Sequence, residues 1–400
     1  MAQTLEKNLQ TFNLTKEQEM LRKTIREVAE ENFKEKAREI DKSHRFPREN
    51  FKLLAELGIT GLTIPEKYGG SELDCISYLI AIEEIARVCA STSVMVAVHL
   101  SLCSMPIVKF GSDFLKEKYL KKLALGELLG AYCLSEPGSG SDAAAMNTKA
   151  EDKGNYFILN GTKAWITNGS EADIYIVFAK DPARAIHELP RHKSITAFIL
   201  EKNMPGVSFG KLEDKLGIRA SATCQMNLDN VEVPKENILG DVGLGFKIAM
   251  STLDRGRIGI AAQALGIAQA SYDLAVSYAK TREAFGESII NFQAIQFMLV
   301  EIATEIEAGR LLTYQAGNLY EAGLPFTRQS AEAKLFCSEL ANKAASKCIQ
   351  ILGGYGYTTE YDAERFYRDA KITEIYEGTS EIQRIVISKN IIEEIGNAKQ

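Results

Sequence analysis

The stretch that organises this chain reads Thr373-Glu374-Ile375-Tyr376-Glu377-Gly378-Thr379-Ser380-Glu381-Ile382-Gln383-Arg384. One carboxylate, that of Glu377, lies between an aromatic residue and a glycine. Ser380 and Gln383 have the spacing of a capping box, and apolar residues then recur with the helical period. The pattern predicts that Glu377 lies on a tight turn before a helix whose exposed N–H groups can receive an anion. A surface glutamate beside an ordinary helix cap fits the same residues.

The composition is that of an ordinary globular protein. The chain has 400 residues, of which 46% are hydrophobic and 25% are charged, with a net charge of −6. This length suggests two or three domains and a large core. No run rich in Lys and Arg occurs, so nucleic-acid binding is not expected. The seven cysteines form no CxxC pair and predict reduced thiols, and the four histidines predict no metal site.

The N-terminal sequence MAQTLEKNLQ has no apolar core and is not an Arg-rich, acid-free segment. We therefore expect neither a signal peptide nor a transit peptide, and a bacterial cytoplasmic location. A mitochondrial matrix protein whose transit peptide had been removed would look the same. No run is expected to reach the roughly 20 apolar residues of a membrane span, so no membrane insertion is expected.

The hydrophobic pattern divides the chain into three regions. Residues 1–127 show mostly the helical period, and residues 128–241 show short runs of period 2, with Asn160-Gly161 as a hairpin signal. Residues 242–400 return to the helical period, with long helices predicted over 246–281, 291–321 and 326–352. We therefore expect an α+β multidomain protein with an N-terminal helical domain, a middle β-sandwich or barrel and a C-terminal helical bundle.

Two stretches of the middle region have residues suited to a polar ring ligand. Ala131 to Asp142 reads AYCLSEPGSGSD, in which backbone N–H groups and small hydroxyls crowd together. Ala164 to Gly169 holds the one Trp, beside Thr167, so that an indole could wall a flat ring and a hydroxyl could bond its edge. A plain Ser/Gly loop and a core aromatic residue are the alternatives.

Three stretches of the C-terminal region carry further signals. Leu253-Asp254-Arg255-Gly256-Arg257 places charges inside an apolar helix, which requires an ion-pair network, a ligand phosphate or a solvent-facing surface. Thr281 to Gly286 carries Arg282 and Phe285, with Gln293 downstream. Gln350 to Tyr357 carries Gly353-Gly354 after a long helix, where a helix C-cap is the alternative.

Taken together and in this order, these stretches resemble the acyl-CoA dehydrogenases, from the N-terminal helices to about residue 395. The sequences YCLSEPGSGSD and IYEGTS are both signatures of that family. The resemblance implies the acyl-CoA dehydrogenase fold, in which the C-terminal domain is a four-helix bundle. It also implies a non-covalent FAD between the β domain and the bundle, and at least a dimer, with a homotetramer expected.

The resemblance also implies the cofactor contacts. On the subunit's own FAD they are Tyr132, Cys133, Leu134, Ser135, Gly140, Ser141, Trp165, Ile166 and Thr167. Ser135 and Thr167 would hydrogen-bond the flavin ring, Thr167 near N5. Residues lent to a neighbouring subunit's FAD would be Arg282, Phe285, Gln293, Gln350, Ile351, Leu352, Gly353 and Gly354. Thr379, Ser380 and Glu381 would complete the site.

Glu377 matches the family's catalytic base. It would abstract the α-proton of an acyl-CoA thioester while the β-hydride passes to flavin N5, giving a trans-2-enoyl-CoA and electrons for an electron-transferring flavoprotein. The carboxylate must be desolvated to be strong enough. Some subfamilies carry the base at the position of Gly256, and a glycine cannot serve. The implied substrate contacts are Ser141, Asp254, Arg255, Gly256, Arg257, Tyr376 and Gly378.

The pattern around Asp254-x-Gly256-Arg257 is most similar to short-chain, butyryl-type members. Ser93 stands where glutaryl-CoA dehydrogenases carry an arginine, so a dicarboxylic substrate is not expected. Branched C4–C5 acyl-CoAs remain open, because one methyl group discriminates by only about 1–3 kcal/mol. His99 is expected to be a core or rim residue. The competing functions are an acyl-CoA oxidase, a non-catalytic acyl-CoA or flavin-binding protein, and a helical scaffold without either ligand.

Overall fold

The computed structural model describes residues 14–183 and 190–397. The N-terminal segment on which the targeting prediction rests lies outside these ranges, as does His187. The N-terminal region is helical, as predicted. Its helices are α1 (Lys16–Asn32), α2 (Lys34–Ser43), α3 (Arg48–Glu56), α4 (Cys75–Ala86), α5 (Ala90–Ala97), α6 (Met105–Phe110) and α7 (Asp113–Ala124).

The N-terminal helices are interrupted in two places. Helices α1 and α2 meet at Phe33. The chain leaves the helical conformation after α4, and Val98–Ser104 forms a π-helical segment between α5 and α6. Ser104 Oγ donates to the carbonyl of His99 at 2.8 Å, a side-chain bond that competes with the regular helical pattern.

The expectation that no run approaches the length of a membrane span is wrong. Ala90–Phe110 spans 21 residues with a mean hydropathy of 1.6, which is long and apolar enough to cross a membrane. However, 78% of its most apolar window is buried inside the protein. A helix that packs within its own fold passes the same test of length and composition.

The middle region forms one mixed sheet. Its strands are β1 (Gly130–Cys133), β2 (Lys149–Asp152), β3 (Tyr156–Thr167), β4 (Ile174–Lys180), β5 (Ile195–Glu201), β6 (Val207–Phe209), β7 (Thr223–Pro234) and β8 (Ile238–Leu239). They pair in the order β6-β7-β3-β2-β4-β5-β8, with β1 parallel to β4. The hairpin predicted at Asn160-Gly161 is wrong, because β3 runs through it with a register shift against β7. A Cβ at Gly161 would lie 2.6 Å from Thr148 Oγ1, so close packing explains this glycine.

The three long C-terminal helices are confirmed within two residues at each end. This region contains α8 (Gly245–Thr281), the hairpin β9 (Glu283–Ala284) and β10 (Glu287–Ser288), α9 (Gln293–Glu321), α10 (Thr327–Leu352), α11 (Gly354–Tyr357), α12 (Ala363–Lys371) and α13 (Ser380–Asn397). The order helical, β, helical is therefore as expected. The domain boundaries after residues 127 and 241 stay a prediction.

The core is continuous across the three regions. One buried cluster contains Val98 from the N-terminal helices, Tyr132 and Phe178 from the sheet, and Ala264 and Leu340 from the C-terminal helices. Helix α8 packs against α4, α9 and α10 and so joins the N-terminal helices to the bundle. This packing brings β1, the middle of α8 and the turn before α13 to one place.

Candidate active site

Glu377 lies on the turn between a short 3₁₀ segment, Ile372–Glu374, and α13. Its backbone is left-handed, with φ of 51°, which costs a non-glycine residue on the order of 1 kcal/mol. The carboxylate atom Oε2 is buried and has no hydrogen-bond partner within the described ranges. A buried carboxylate oxygen without a donor lowers the stability of the fold, and such groups are typical of functional sites.

Helix α8 approaches this carboxylate through a glycine. A Cβ on Gly256 would lie 2.0 Å from Glu377 Oε2 and 3.0 Å from Leu102 Cδ2. The two positions at which family members carry the base therefore face each other in space. Glycine at residue 256 leaves the room that the Glu377 carboxylate occupies.

The capping box predicted for Ser380 and Gln383 is wrong. The cap is one residue earlier, because Thr379 Oγ1 accepts from the backbone N–H of Ile382 at 3.3 Å. Ser380 Oγ is buried without a partner in the part of the chain that is described. The side chain of Gln383 instead donates to the carbonyls of Gly378 at 2.7 Å and of Glu377 at 3.3 Å. Gln383 therefore fixes the Glu377–Gly378 turn and is not part of a cap.

A lysine that the sequence reasoning missed also holds this turn. Lys334 on α10 is fully buried, and its Nζ donates to the carbonyl of Gly378 at 2.8 Å. The helical period of the sequence could have predicted its burial. It places the lysine on an apolar stripe of α10 whose members are all buried, namely Ala331, Lys334, Cys337 and Ala341.

Burial dominates the electrostatics of Glu377. It raises the pKa of Glu377 to about 7, although the cations of Lys334 and Arg257 favour the ionised form. Burial also lowers the pKa of Lys334 to about 8, while Glu377 favours its protonation. A carboxylate with a pKa close to neutrality is suited to act as a general base.

Tyr376 is oriented by Gln263, another residue that the sequence did not predict to be part of the site. Its hydroxyl donates to the side-chain carbonyl of Gln263, whose Nε2 donates to the carbonyl of Ala90 at 2.9 Å. Burial and the neighbouring carboxylate of Glu377 raise the pKa of Tyr376, which stays neutral. These two bonds connect the turn that carries Glu377 to α8 and α5.

The charges in α8 form the predicted ion pair. Asp254 accepts from Arg257 Nη1 at 2.6 Å and from Thr327 Oγ1 at 2.8 Å. The neighbouring Arg255 lies elsewhere, with its guanidinium carbon 5.2 Å from the ring centres of both Tyr78 and Tyr320. Arg257 is close enough to the Glu377 carboxylate to favour its ionised form. Substrate contacts of Asp254, Arg255 and Arg257 stay predictions.

The loop after β1 is held by a buried ion pair. Lys163 Nζ donates to Glu136 Oε1 at 2.8 Å and to the carbonyl of Leu134 at 3.2 Å. Glu136 also accepts the backbone N–H of Thr148 at 2.9 Å. Tyr132, Cys133 and Leu134 are buried and Ser135 is half-buried, whereas Gly140 and Ser141 are exposed. The sequence reasoning did not identify this ion pair.

Trp165 is not a core residue. Its side chain is exposed (64%), and its φ of 61° lies at the irregularity of β3 between Lys163 and Ile166. Ile166 is buried and Thr167 is half-buried. A Cβ at Gly138 or Gly140 would meet nothing within 4 Å, so the loop is open. An exposed indole and an open glycine loop fit a flat ring system with a phosphate group.

A cavity of about 470 Å³ lies where α8 and α10 end. Five predicted cofactor residues line it: Arg282, Ile351, Leu352, Gly353 and Gly354. Phe285 projects from the β9–β10 turn with 99% of its side chain exposed, and Gln293 and Gln350 are exposed. After the turn that carries Glu377, Thr379 is half-buried, Ser380 is buried and Glu381 is exposed.

His99 is a satisfied core residue, as expected. Its Nε2 donates to the carbonyls of Thr60 at 3.1 Å and Leu123 at 3.2 Å, and Nδ1 accepts the N–H of Gly130 at 3.3 Å. Burial lowers the pKa of His99 to about 4, so it is neutral. In residues 14–183 and 190–397, no group of three potential metal ligands occurs.

Comparison with known proteins shows the family. Three family models match in order: acyl-CoA dehydrogenase N-terminal domain over residues 15–127, middle domain over 131–231 and C-terminal domain over 243–392. The mitochondrial short-chain specific acyl-CoA dehydrogenase of Rattus norvegicus is 50% identical over 384 residues, which cover 96% of this chain and 92% of that protein.

Solved structures agree. Butyryl-CoA dehydrogenase from Megasphaera elsdenii is 44% identical with a TM-score of 0.92, covering 95% of this chain and 99% of that chain. A chain from a structural study of the electron transferring flavoprotein of Acidaminococcus fermentans and flavin-based electron bifurcation is 48% identical, with a TM-score of 0.92 and the same coverage. The expected fold is thereby confirmed. The chain belongs to the acyl-CoA dehydrogenase family and is an oxidoreductase and a flavoprotein.

Proposed function

We propose that this protein is an FAD-dependent short-chain acyl-CoA dehydrogenase in which Glu377 is the catalytic base. The observation that carries the proposal is the buried Oε2 of Glu377, which has no hydrogen-bond partner in the described ranges and faces the glycine at position 256 of α8. A pKa of about 7 places this carboxylate in the range in which it removes a proton near neutral pH.

The α C–H of a thioester is a weak acid, so charge developing on the thioester oxygen must be stabilised. The backbone N–H of Glu377 has no acceptor among the described residues and is available to that oxygen. Glu377 Oε2 takes the α-proton, and Arg257 and Lys334 limit how far burial raises the pKa of Glu377. FAD, held non-covalently by the residues after β1 and on β3, would supply the acceptor for the hydride that leaves the β carbon, and the product would be a trans-2-enoyl-CoA.

Residues after β1 and on β3 hold the cofactor in this proposal. The loop to Ser141 would supply polar groups, the exposed Trp165 a flat wall, and the half-buried Thr167 a hydroxyl for the ring edge. The buried Lys163–Glu136 pair keeps the loop beside β3. The cavity around Arg282 and Gly353 would hold part of a neighbouring subunit's FAD, which implies at least a dimer and, by the family likeness, a homotetramer.

A short acyl chain is supported by the walls around Glu377. A Cβ on Gly256 would meet Leu102, and a Cβ on Gly259 would lie 2.3 Å from the hydroxyl of Tyr78. Leu102 and Tyr78 therefore pack closely on α8, which favours a short acyl chain. The names of the relatives reported above specify short-chain substrates or butyryl-CoA. Branched C4–C5 esters are the alternative, because one methyl group discriminates by only about 1–3 kcal/mol.

The electron acceptor we propose is an electron-transferring flavoprotein, supported by the similarity to the chain from Acidaminococcus fermentans. The bacterial cytoplasm, or the mitochondrial matrix after removal of a transit peptide, stays the predicted location.

Anaerobic titration with acyl-CoA esters tests the proposal. Butyryl-, isobutyryl-, 2-methylbutyryl-, octanoyl- and glutaryl-CoA would be added to the purified yellow protein, and loss of oxidised-flavin absorbance would be followed. We expect butyryl-CoA to bleach fastest, and Glu377→Gln to retain flavin but not to bleach. Glu393→Gln, a surface carboxylate on α13, is the matched control. Faster bleaching by a branched ester would assign a branched-chain substrate instead. Bleaching of Glu377→Gln at the wild-type rate would show that Glu377 is not the base.

A further inference from the structure

Two lysines are completely buried in the described part of the chain, and only one has a direct carboxylate partner. Lys163 pairs with Glu136 at 2.8 Å. Lys334 has no such ion pair within the described ranges, and its hydrogen bond goes to the neutral carbonyl of Gly378. A buried ammonium is costly unless a charge or dipole compensates it. The groups that offset the cost of burying the Lys334 ammonium must therefore lie around the Gly378 carbonyl.

The carbonyl in question belongs to the residue directly after Glu377. Two buried side chains from different helices bind it: Lys334 from α10 and Gln383 from α13. A Cβ on Gly378 would lie 2.7 Å from Gln383 Nε2, so the Gln383 side chain approaches the backbone closely. A left-handed residue such as Glu377 persists only where surrounding contacts enforce its conformation. The two donors supply that constraint.

We propose that Lys334 is a positioning residue of the active site, which clamps the Glu377–Gly378 turn through the Gly378 carbonyl and balances the charge of the ionised Glu377. The proposal rests on the proposed role of Glu377 as the base. Lys334 touches neither the reacting atoms nor the carboxylate in an ion pair, so its effect acts through Glu377.

Other charged and titratable groups surround the pair and are unchanged by a substitution of Lys334. Those that act on the Glu377 carboxylate or are acted on by it are Arg257 from α8, Tyr78 from α4, Tyr132 from β1 and Tyr376 from the turn itself. Lys334 is also influenced by Glu374, Glu381 and Arg257. Arg257 already has Asp254 as its partner, which leaves Lys334 as the cation without a carboxylate of its own at this site.

Lys334→Met removes the charge and the donor, and Lys334→Gln removes the charge while keeping a donor. Because a nearby cation lowers the pKa of a carboxyl group, both variants are expected to move the acid limb of the flavin-reduction profile up by about one pH unit. Lys334→Met is also expected to lose more of the maximal rate than Lys334→Gln, since its turn is less constrained. Lys343→Met, a surface lysine on the same helix, is the matched control.

A second readout does not depend on activity. The infrared band of the protonated Glu377 carboxyl, identified by its loss in Glu377→Gln, would be titrated with pH in wild type and in both variants. The band is expected to titrate about one pH unit higher without the cation. A folded Lys334→Met protein with the wild-type acid limb and wild-type titration overturns the inference, and Lys334→Gln decides in the same way if Lys334→Met does not fold. Failure of wild type to reduce flavin with any ester would instead overturn the proposed function.

Discussion

Replacing Gly256 by alanine tests the geometry of the base most directly. The added Cβ would lie 2.0 Å from Glu377 Oε2, whereas ordinary contacts begin at 3.4 Å. The carboxylate must therefore move by about 1.4 Å, since 3.4 less 2.0 is 1.4. Leu102 Cδ2, 3.0 Å from the new Cβ, restricts where it can go. A displacement on the order of 1 Å at a reacting group costs about 10²-fold in rate, or roughly 2.7 kcal/mol.

The fold should tolerate this change. Alanine is favoured over glycine inside a helix by about 0.5–1 kcal/mol, so Gly256→Ala is expected to bind flavin and to unfold at or above the wild-type temperature. Stopped-flow flavin reduction by butyryl-CoA under anaerobic conditions measures the effect. Gly396→Ala on α13, where a Cβ meets nothing within 4 Å, is the control. Wild-type reduction by a folded, yellow Gly256→Ala would refute the placement of the Glu377 carboxylate against α8.

Three further predictions follow from the charges at the site. First, the rate of flavin reduction should fall as the pH falls through about 7, because Glu377 must be ionised to accept a proton. Second, Glu377→Gln should be more stable than wild type by roughly 3 kcal/mol above pH 7, where wild type buries a carboxylate whose pKa is raised from 4.5 to about 7. Third, Lys163→Met should lower the free energy of unfolding by about 3–5 kcal/mol and reduce flavin content, since Glu136 is left buried without its cation.

Each of these outcomes has a control. For the first prediction, the visible spectrum of the wild-type protein at each pH shows whether flavin is still bound. A flavin-reduction rate that falls only below pH 5 would contradict the raised pKa of Glu377. The sign of the stability difference follows from linkage: stability from a raised carboxyl pKa is lost as the pH rises, so wild type and Glu377→Gln should converge toward pH 4. Equal denaturant midpoints at pH 8 would contradict it. Lys149→Met, an exposed lysine on β2, is the control for Lys163→Met.

Local signals in the sequence were reliable where the packing agreed with them. The helical periods of α8, α9 and α10 predicted those helices because each must bury one face along its whole length. The hairpin prediction at Asn160-Gly161 was wrong because tertiary packing outweighed the local turn preference. Gly161 instead makes room for Thr148 within a continuous strand. The capping box predicted at Ser380 was wrong because Thr379 and Ser380 are adjacent hydroxyl residues. Only the backbone conformation decides which hydroxyl accepts the N–H.

The sequence by itself determined the class of fold, through its three zones of periodicity, and pointed to Glu377, because a carboxylate in that motif has a chemical role in the family it resembles. Only the tertiary structure decided what suits this carboxylate to the proposed role of a base. Gly256 faces its Oε2. Lys334 binds the Gly378 carbonyl from 44 residues away in sequence, and Gln263 binds Tyr376 from 113 residues away. Periodicity records which faces are buried, whereas the pKa of a side chain depends on which distant groups share its burial.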